Sequence, residues 1–171
     1  MMLHERCLVA AVEDAATTAA VAREAARVAL AQGADTVIFV HVLDAHTVVS
    51  ALYVMYGVAV PLGETEDQGM ALLARAAEIL RAVYAARGRP APPTRRVLAT
   101  GDPALALARI AREYNARDLV LGARRPHVLG RLFHPDVRAY LARHSGAHLH
   151  IAVPGPPLTL LASGRSLRWR G

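Results

Sequence analysis

Short apolar runs alternating with helix-patterned segments constrain this chain more than any other feature. Cys7 to Val12 (CLVAAV) is wholly apolar, and Thr36 to Val42 (TVIFVHV) is β-branched and nearly continuous, the pattern of strands covered on both faces. RRVLAT, DLVLGA and HLHIAV give three more strands, ending at Thr100, Ala123 and Val153. Between the first two, AATTAAVAREAARVALA predicts a helix over Ala15 to Ala31, with Val21, Ala25, Val28 and Ala29 on one face and Arg23 and Arg27 off it. Gly33 closes it. A second helix over about Glu64 to Arg87 aligns Leu72, Leu73, Ala76, Ile79, Leu80 and Val83 and ends at Gly88. The turn Gly101-Asp102-Pro103 opens a third helix, Ala104 to Tyr114, and HPDVRAYLARHSG forms a fourth. Such alternation predicts a parallel sheet with right-handed crossovers and helices on both faces. Ligands of such sheets sit beyond the carboxyl ends of the strands, near the topological switch point, which directs attention to Glu13, Val42, Gly101 and Gly122.

A chain of 171 residues, 54% of them hydrophobic, buries a full core without disulfides or metal. Its 20 basic residues are all arginine against 14 acids, a formal charge of +6 that is scattered and accompanied by only 5% aromatic residues, so nucleic acid is not expected as a partner. The single cysteine, Cys7, lies in an apolar run and reads as a small buried residue in a reducing, cytoplasmic setting. The first apolar run is too short for a secretory signal. From Ala45 to Gly63, AHTVVSALYVMYGVAVPLG contains no Lys, Arg, Asp or Glu, but its acidic flanks, Asp44 and Glu64, and its Gly57 and Pro61 argue against a membrane span. It reads instead as an apolar insertion, a partner surface or a cover for the site. After Val153 the pattern stops, and PGPPLTLLASGRSLRWRG forms a Pro/Gly-punctuated tail with Arg165, Arg168, Trp169 and Arg170 at its basic end.

The stretches ATGDPALALARIAREYNARDLVLGARR and RHSGAHLHIAVP, with CLVAAVEDA and VIFVHVLD before them, resemble the universal stress protein family over about Glu5 to Pro154. The resemblance implies an α/β, three-layer sandwich with a five-stranded parallel sheet and helices on both faces, Rossmann-like and adenine nucleotide α-hydrolase-like. It implies a domain over 1–154 with 45–63 inserted and 155–171 as a tail. It also implies a homodimer, formed through the last strand from His148 to Val153, a role in stress survival and no general catalytic activity.

Members of the family that bind ATP or AMP resemble one another in the loop after the fourth strand: Gly, two residues, Gly, nine residues, then Gly and Ser or Thr. Glycines there let backbone N–H groups approach phosphate, and the hydroxyl and helix start complete the cradle. Counted from Gly122, this chain keeps the first glycine but has Arg125, Pro135 and Asp136 at the other three positions. Pro135 lacks an N–H to donate, and Asp136 puts a carboxylate where a phosphate would rest, so it reads as a helix cap. In the first loop the family's adenosine-binding Asp corresponds to Glu13, followed by Asp14 in place of a glycine. Val42 matches a position whose backbone meets adenine. The base-and-sugar end of the site is better kept than the phosphate end. Arg124, Arg125 and Arg131, with His127 and His134, offer another way to hold phosphate, through charge and bidentate donors.

His148 and His150 alternate on the last strand and face the same way, but no acid or cysteine close in sequence completes a metal set, so no metal is expected. Glu13 and Asp14 read as helix-start charges rather than a catalytic pair. There is no Gly-x-Ser-x-Gly elbow, Walker loop or Cys-x-x-Cys. The residues, taken with what the resemblance implies, point to a cytoplasmic, non-catalytic homodimer with a degenerate nucleotide loop, acting on a protein partner, with no cofactor assigned. The alternative is binding of ATP or AMP with arginines holding the phosphates, and an adenine-nucleotide hydrolase-like enzyme stands behind both. In the nucleotide readings the binding residues are Val12, Glu13, Val42, Leu121, Gly122, Arg124, Arg125, Arg131, Asp136 and Val137.

Overall fold

The computed structural model describes residues 5–43, 65–123 and 137–153. Within them the order is β1 (Cys7–Ala11), α1 (Ala15–Gln32), β2 (Thr36–Leu43), α2 (Glu66–Ala85), β3 (Thr94–Thr100), α3 (Pro103–Glu113), β4 (Asp118–Gly122), α4 (Val137–His144) and β5 (His148–Ala152). The elements agree with the sequence pattern in type and order, with ends displaced by a residue or two. The apolar segment from Ala45 to Gly63, the loop from Arg124 to Asp136 and the tail over 155–171 lie outside the described residues, as do the expectations placed on them. Among the described residues, no helix is long and apolar enough to cross a membrane.

The strands form one parallel sheet in the order β3-β2-β1-β4-β5. Side chains alternate between two cores, as pleating requires. Leu8, Ala10 and Val12 join Val37, Phe39 and Val120 beneath α1 and α2, which contribute Val21, Ala25, Leu73 and Leu80. Cys7, Val9 and Ala11 join Ile38, Val40, Leu119 and Leu121 on the other face, beneath Leu107, Ile110 and Leu141 of α3 and α4. From β1 the chain steps outward to β2 and β3 with helices on one face. It then crosses back to β4 and β5 with helices on the other. Reversing direction and face together keeps every crossover of one hand.

The starts of α1, α2 and α3 are each fixed by a side chain that satisfies free N–H groups. Asp14 caps α1 and Asp102 caps α3, where Pro103 follows in the first turn. Thr65 and Gln68 cap α2 reciprocally, a capping box visible in the sequence as Thr-x-x-Gln. Gly33 ends α1 in the left-handed region, at φ 64°, and its N–H bonds to the Ala29 carbonyl.

Candidate functional site

The connections of β1 and β4 leave the sheet in opposite directions, so the carboxyl ends of these two neighbouring strands border the crevice at the switch point. On the β1 side the crevice wall is Val12, Glu13 and Asp14. The backbone ladder between β1 and β2 closes with Val12 N–H donating to the Val40 carbonyl at 2.8 Å. One residue further along β2, the His41 ring takes over: its Nδ1 lies 2.7 Å from the Val12 carbonyl oxygen. A carbonyl can only accept, so Nδ1 carries the hydrogen. The ring is buried, 1% exposed, beneath α2, where Gly69 has no side chain to displace it.

On the other side of Glu13, Asp14 is equally constrained. Its carboxylate accepts from Thr17 N–H at 2.8 Å and from the Thr17 hydroxyl at 2.9 Å, and its backbone carbonyl accepts from the Thr18 hydroxyl at 2.6 Å. An anionic group thus already occupies the positive end of α1. Reading both acids as helix-start charges holds for Asp14 but not for Glu13, which precedes the cap and lies outside the first helical turn. Glu13 is exposed at the mouth of the crevice.

The other residues singled out from the sequence divide by what they present. Val12 and Leu121 bury their side chains in opposite cores, 2% and 6% exposed, so only their backbones face the crevice. Val42 is half-buried at the carboxyl end of β2 and packs toward the α3 side. Val137 is the first residue of α4 and packs against the same core. Gly122 pairs with Ala152 as the last residue of β4. A Cβ there would lie 3.3 Å from Thr17 Cβ and 3.5 Å from a Val21 methyl, so α1 approaches closely enough that a side chain here would press on Thr17. Gly101, by contrast, has φ 110° and turns the chain from β3 into the cap of α3. Arg124, Arg125, Arg131 and Asp136 lie outside the described residues, with His127 and His134.

Away from the crevice, His150 Nε2 lies 2.8 Å from Asp118 Oδ1 across β4 and β5. The acid missing from the sequence near His150 is therefore supplied from 32 residues away, by tertiary pairing. No group of three metal-ligating side chains forms among the described residues. A surface cleft of about 270 Å³ lies at the opposite edge of the sheet, lined by residues including Gly33, Asp35, Tyr84, Arg89 and Pro90. His41, Gly69, Thr17 and Asp118 are the residues that local reading passes over. The signals for two of them were a histidine inside an apolar strand and a glycine inside a helix.

A universal stress protein family model matches residues 5–152. No curated protein sequence matches the chain. Among solved structures, a universal stress protein in complex with cAMP superposes with a TM-score of 0.61 at 20% identity, covering 89% of this chain and 99% of that one. The universal stress protein from Archaeoglobus fulgidus in complex with dAMP gives 0.54 at 16% identity, covering 88% and 98%. UspA from Lactobacillus plantarum gives 0.52 at 17% identity, covering 87% and 98%. These identities speak for the fold, and the family match spans nearly all of the sheet and its helices. The chain belongs to the universal stress protein family.

Proposed function

We propose that this chain is a non-catalytic, cytoplasmic stress-response protein that works as a homodimer and through contacts with a protein partner. In this reading residues 1–154 form its domain, 45–63 is an apolar insertion available as partner surface or site cover, and 155–171 is a tail. The observation that carries the reading is Asp14, whose carboxylate sits on the α1 N-terminus, in line with the sequence departures at Arg125, Pro135 and Asp136. Negative charge is thus already invested at the α1 start, on the β1 side of the crevice, which disfavours an anionic ligand there. The two sheet edges support the dimer. β3 guards its edge with the exposed Arg95 and Arg96, whereas β5 leaves Ile151 36% and the adjoining Val153 72% exposed.

The second reading is an ATP- or AMP-binding protein in which arginines hold the phosphates. Glu13 at the mouth of the crevice and the position of Val42 at the carboxyl end of β2 favour it, and relatives of the same fold have been solved with cAMP and dAMP. Thermal shift separates the two. Millimolar ATP with magnesium or AMP leaves the melting temperature unchanged in the first reading. In the second, ligand at about 100 times its dissociation constant adds about 2.7 kcal/mol, a shift of several degrees. The dimer is tested by light scattering: Ile151→Glu with Val153→Arg yields a monomer, and an unchanged mass would reject β5 as the interface. Release of AMP or ADP from ATP over time would overturn the non-catalytic reading.

A further inference from the structure

We infer that His41 is a positioning residue for the crevice: its Nδ1–H, holding the Val12 carbonyl, fixes the backbone from which Glu13 is presented to a ligand. The inference rests on reading Glu13 as the acid of that crevice. At the carboxyl end of β1 the strand must leave the sheet to let the crevice open. The backbone ladder therefore runs out just where the Val12 carbonyl, in a residue 2% exposed, still needs a donor. His41 supplies it from the side chain at 2.7 Å, while Val12 N–H stays bonded to the Val40 carbonyl at 2.8 Å. Val12 is thus held to β2 at both of its backbone polar groups. Two residues on, Asp14 is locked by the two hydroxyls and the N–H that it engages on Thr17 and Thr18. Glu13 is the single residue between these clamps.

The placement of the imidazole depends in turn on α2. A Cβ on Gly69 would lie 2.7 Å from His41 Cδ2 and 2.8 Å from Leu98 Cδ1, so the ring fits only because position 69 is glycine. A short polar side chain can reproduce the bond. The Nδ2 of asparagine occupies nearly the same place as Nδ1 of histidine, whereas phenylalanine fills the volume and donates nothing. Preorganised backbone at a binding site lowers the ordering cost of holding a ligand.

The test is made on the ligand-free protein by ¹⁵N relaxation. In the wild type, the Glu13 and Asp14 amides have order parameters near the rigid value of about 0.85, and the His41 Nδ1 proton is visible in the imidazole region. His41→Phe drops the Glu13 value below about 0.6 while Val9 and Phe39 in the same sheet stay rigid, and His41→Asn restores it. An unchanged Glu13 in His41→Phe would overturn the inference, as would equal loosening in the asparagine variant, which would make the role one of packing alone. Should His41→Phe fail to fold, His41→Leu removes the donor with a smaller side chain and must loosen Glu13 in the same way; a rigid Glu13 there overturns the inference. Titration calorimetry with AMP supplies the second arm: His41→Phe raises the dissociation constant about tenfold and His41→Asn recovers most of it. Wild-type protein that takes no AMP defeats the nucleotide reading, and relaxation alone then decides on His41.

Discussion

His150 and Asp118 join β5 to β4 through a side-chain contact of 2.8 Å, on the face of the sheet that carries α1. Neither partner is open to much solvent, with side chains 23% and 12% exposed, and the edge strand has only one backbone neighbour among the described strands. A hydrogen bond to a charged group in such surroundings stabilises by more than an exposed ion pair does. Asp118→Ala is expected to cost about 1–2 kcal/mol, and His150→Ala a similar amount. The double variant should cost clearly less than the sum, because the two substitutions remove one interaction. Urea melts with an unchanged m value measure this, and strictly additive losses would show that the contact contributes nothing.

Cys7 is the only cysteine and lies in the core under α3, 7% exposed. Burial pushes its thiol above the ordinary range, with the charge of Glu5 adding to the effect and that of Arg95 opposing it. The thiolate is the reactive form, so the native protein should be nearly inert to a chromogenic disulfide reagent at pH 8 and react at once in denaturant. The rate in native conditions should follow global unfolding, slowing with added stabiliser. Rapid labelling of the folded protein would mean that the amino end of β1 opens on its own.

Among the described residues, the periodicity of the chain was enough to give the number, kind and order of the elements, because a strand buried on both faces and an amphipathic helix impose different spacings on the same apolar residues. The alternating helices then dictated a parallel sheet, and the switch point located the crevice. The contacts that hold the crevice in shape escaped for a physical reason. His41 and Val12, like Asp118 and His150, meet only after the strands have paired in register, and register is set by the whole sheet. Gly122 shows the opposite hazard: a residue belonging to a binding motif also meets a packing demand, the close approach of Thr17. The same four-residue comparison that identified the loop could not reveal that packing demand.

Glu24 and Arg27 form a short ion pair on α1, with two guanidinium contacts at 2.6 and 2.8 Å. The hydrogen bond from Arg27 holds the Glu24 carboxyl below its ordinary pKa against the opposing effect of burial, and the charges of Arg27 and His150 act in the same direction. The folded state therefore binds fewer protons than the unfolded chain over the acidic range. The stability contributed by the pair is fully present above the ordinary glutamate pKa and is lost as pH falls through the depressed folded value. Glu24→Gln should be less stable than wild type at neutral pH, with the gap closing on acidification below the ordinary range. A gap that is constant down to the lowest pH at which the fold persists would assign the loss to packing instead. Because Arg27 reaches into solvent, salt should narrow the neutral-pH gap.

Gly69→Ala sets two effects of opposite sign against each other. In a helix interior alanine is favoured over glycine by about 1 kcal/mol, and Gly69 has an ordinary helical backbone, unlike Gly88 with φ 62°. The added Cβ, however, would meet a buried ring and a leucine methyl, both closer than 3.0 Å. The leucine can turn its methyl aside, but the ring is pinned by its bond to Val12, so the helix or the ring must move. Overpacking of this kind costs about 1–3 kcal/mol, and the net expectation is a loss of about 1 kcal/mol. In the background of His41→Ala the obstruction is gone, and the same Gly69→Ala change should become stabilising. That reversal of sign, read from chemical denaturation of the four proteins of the cycle, is the measurement that checks the prediction; a loss of equal size in both backgrounds would mean that the helix resists alanine at this position for a reason unrelated to His41.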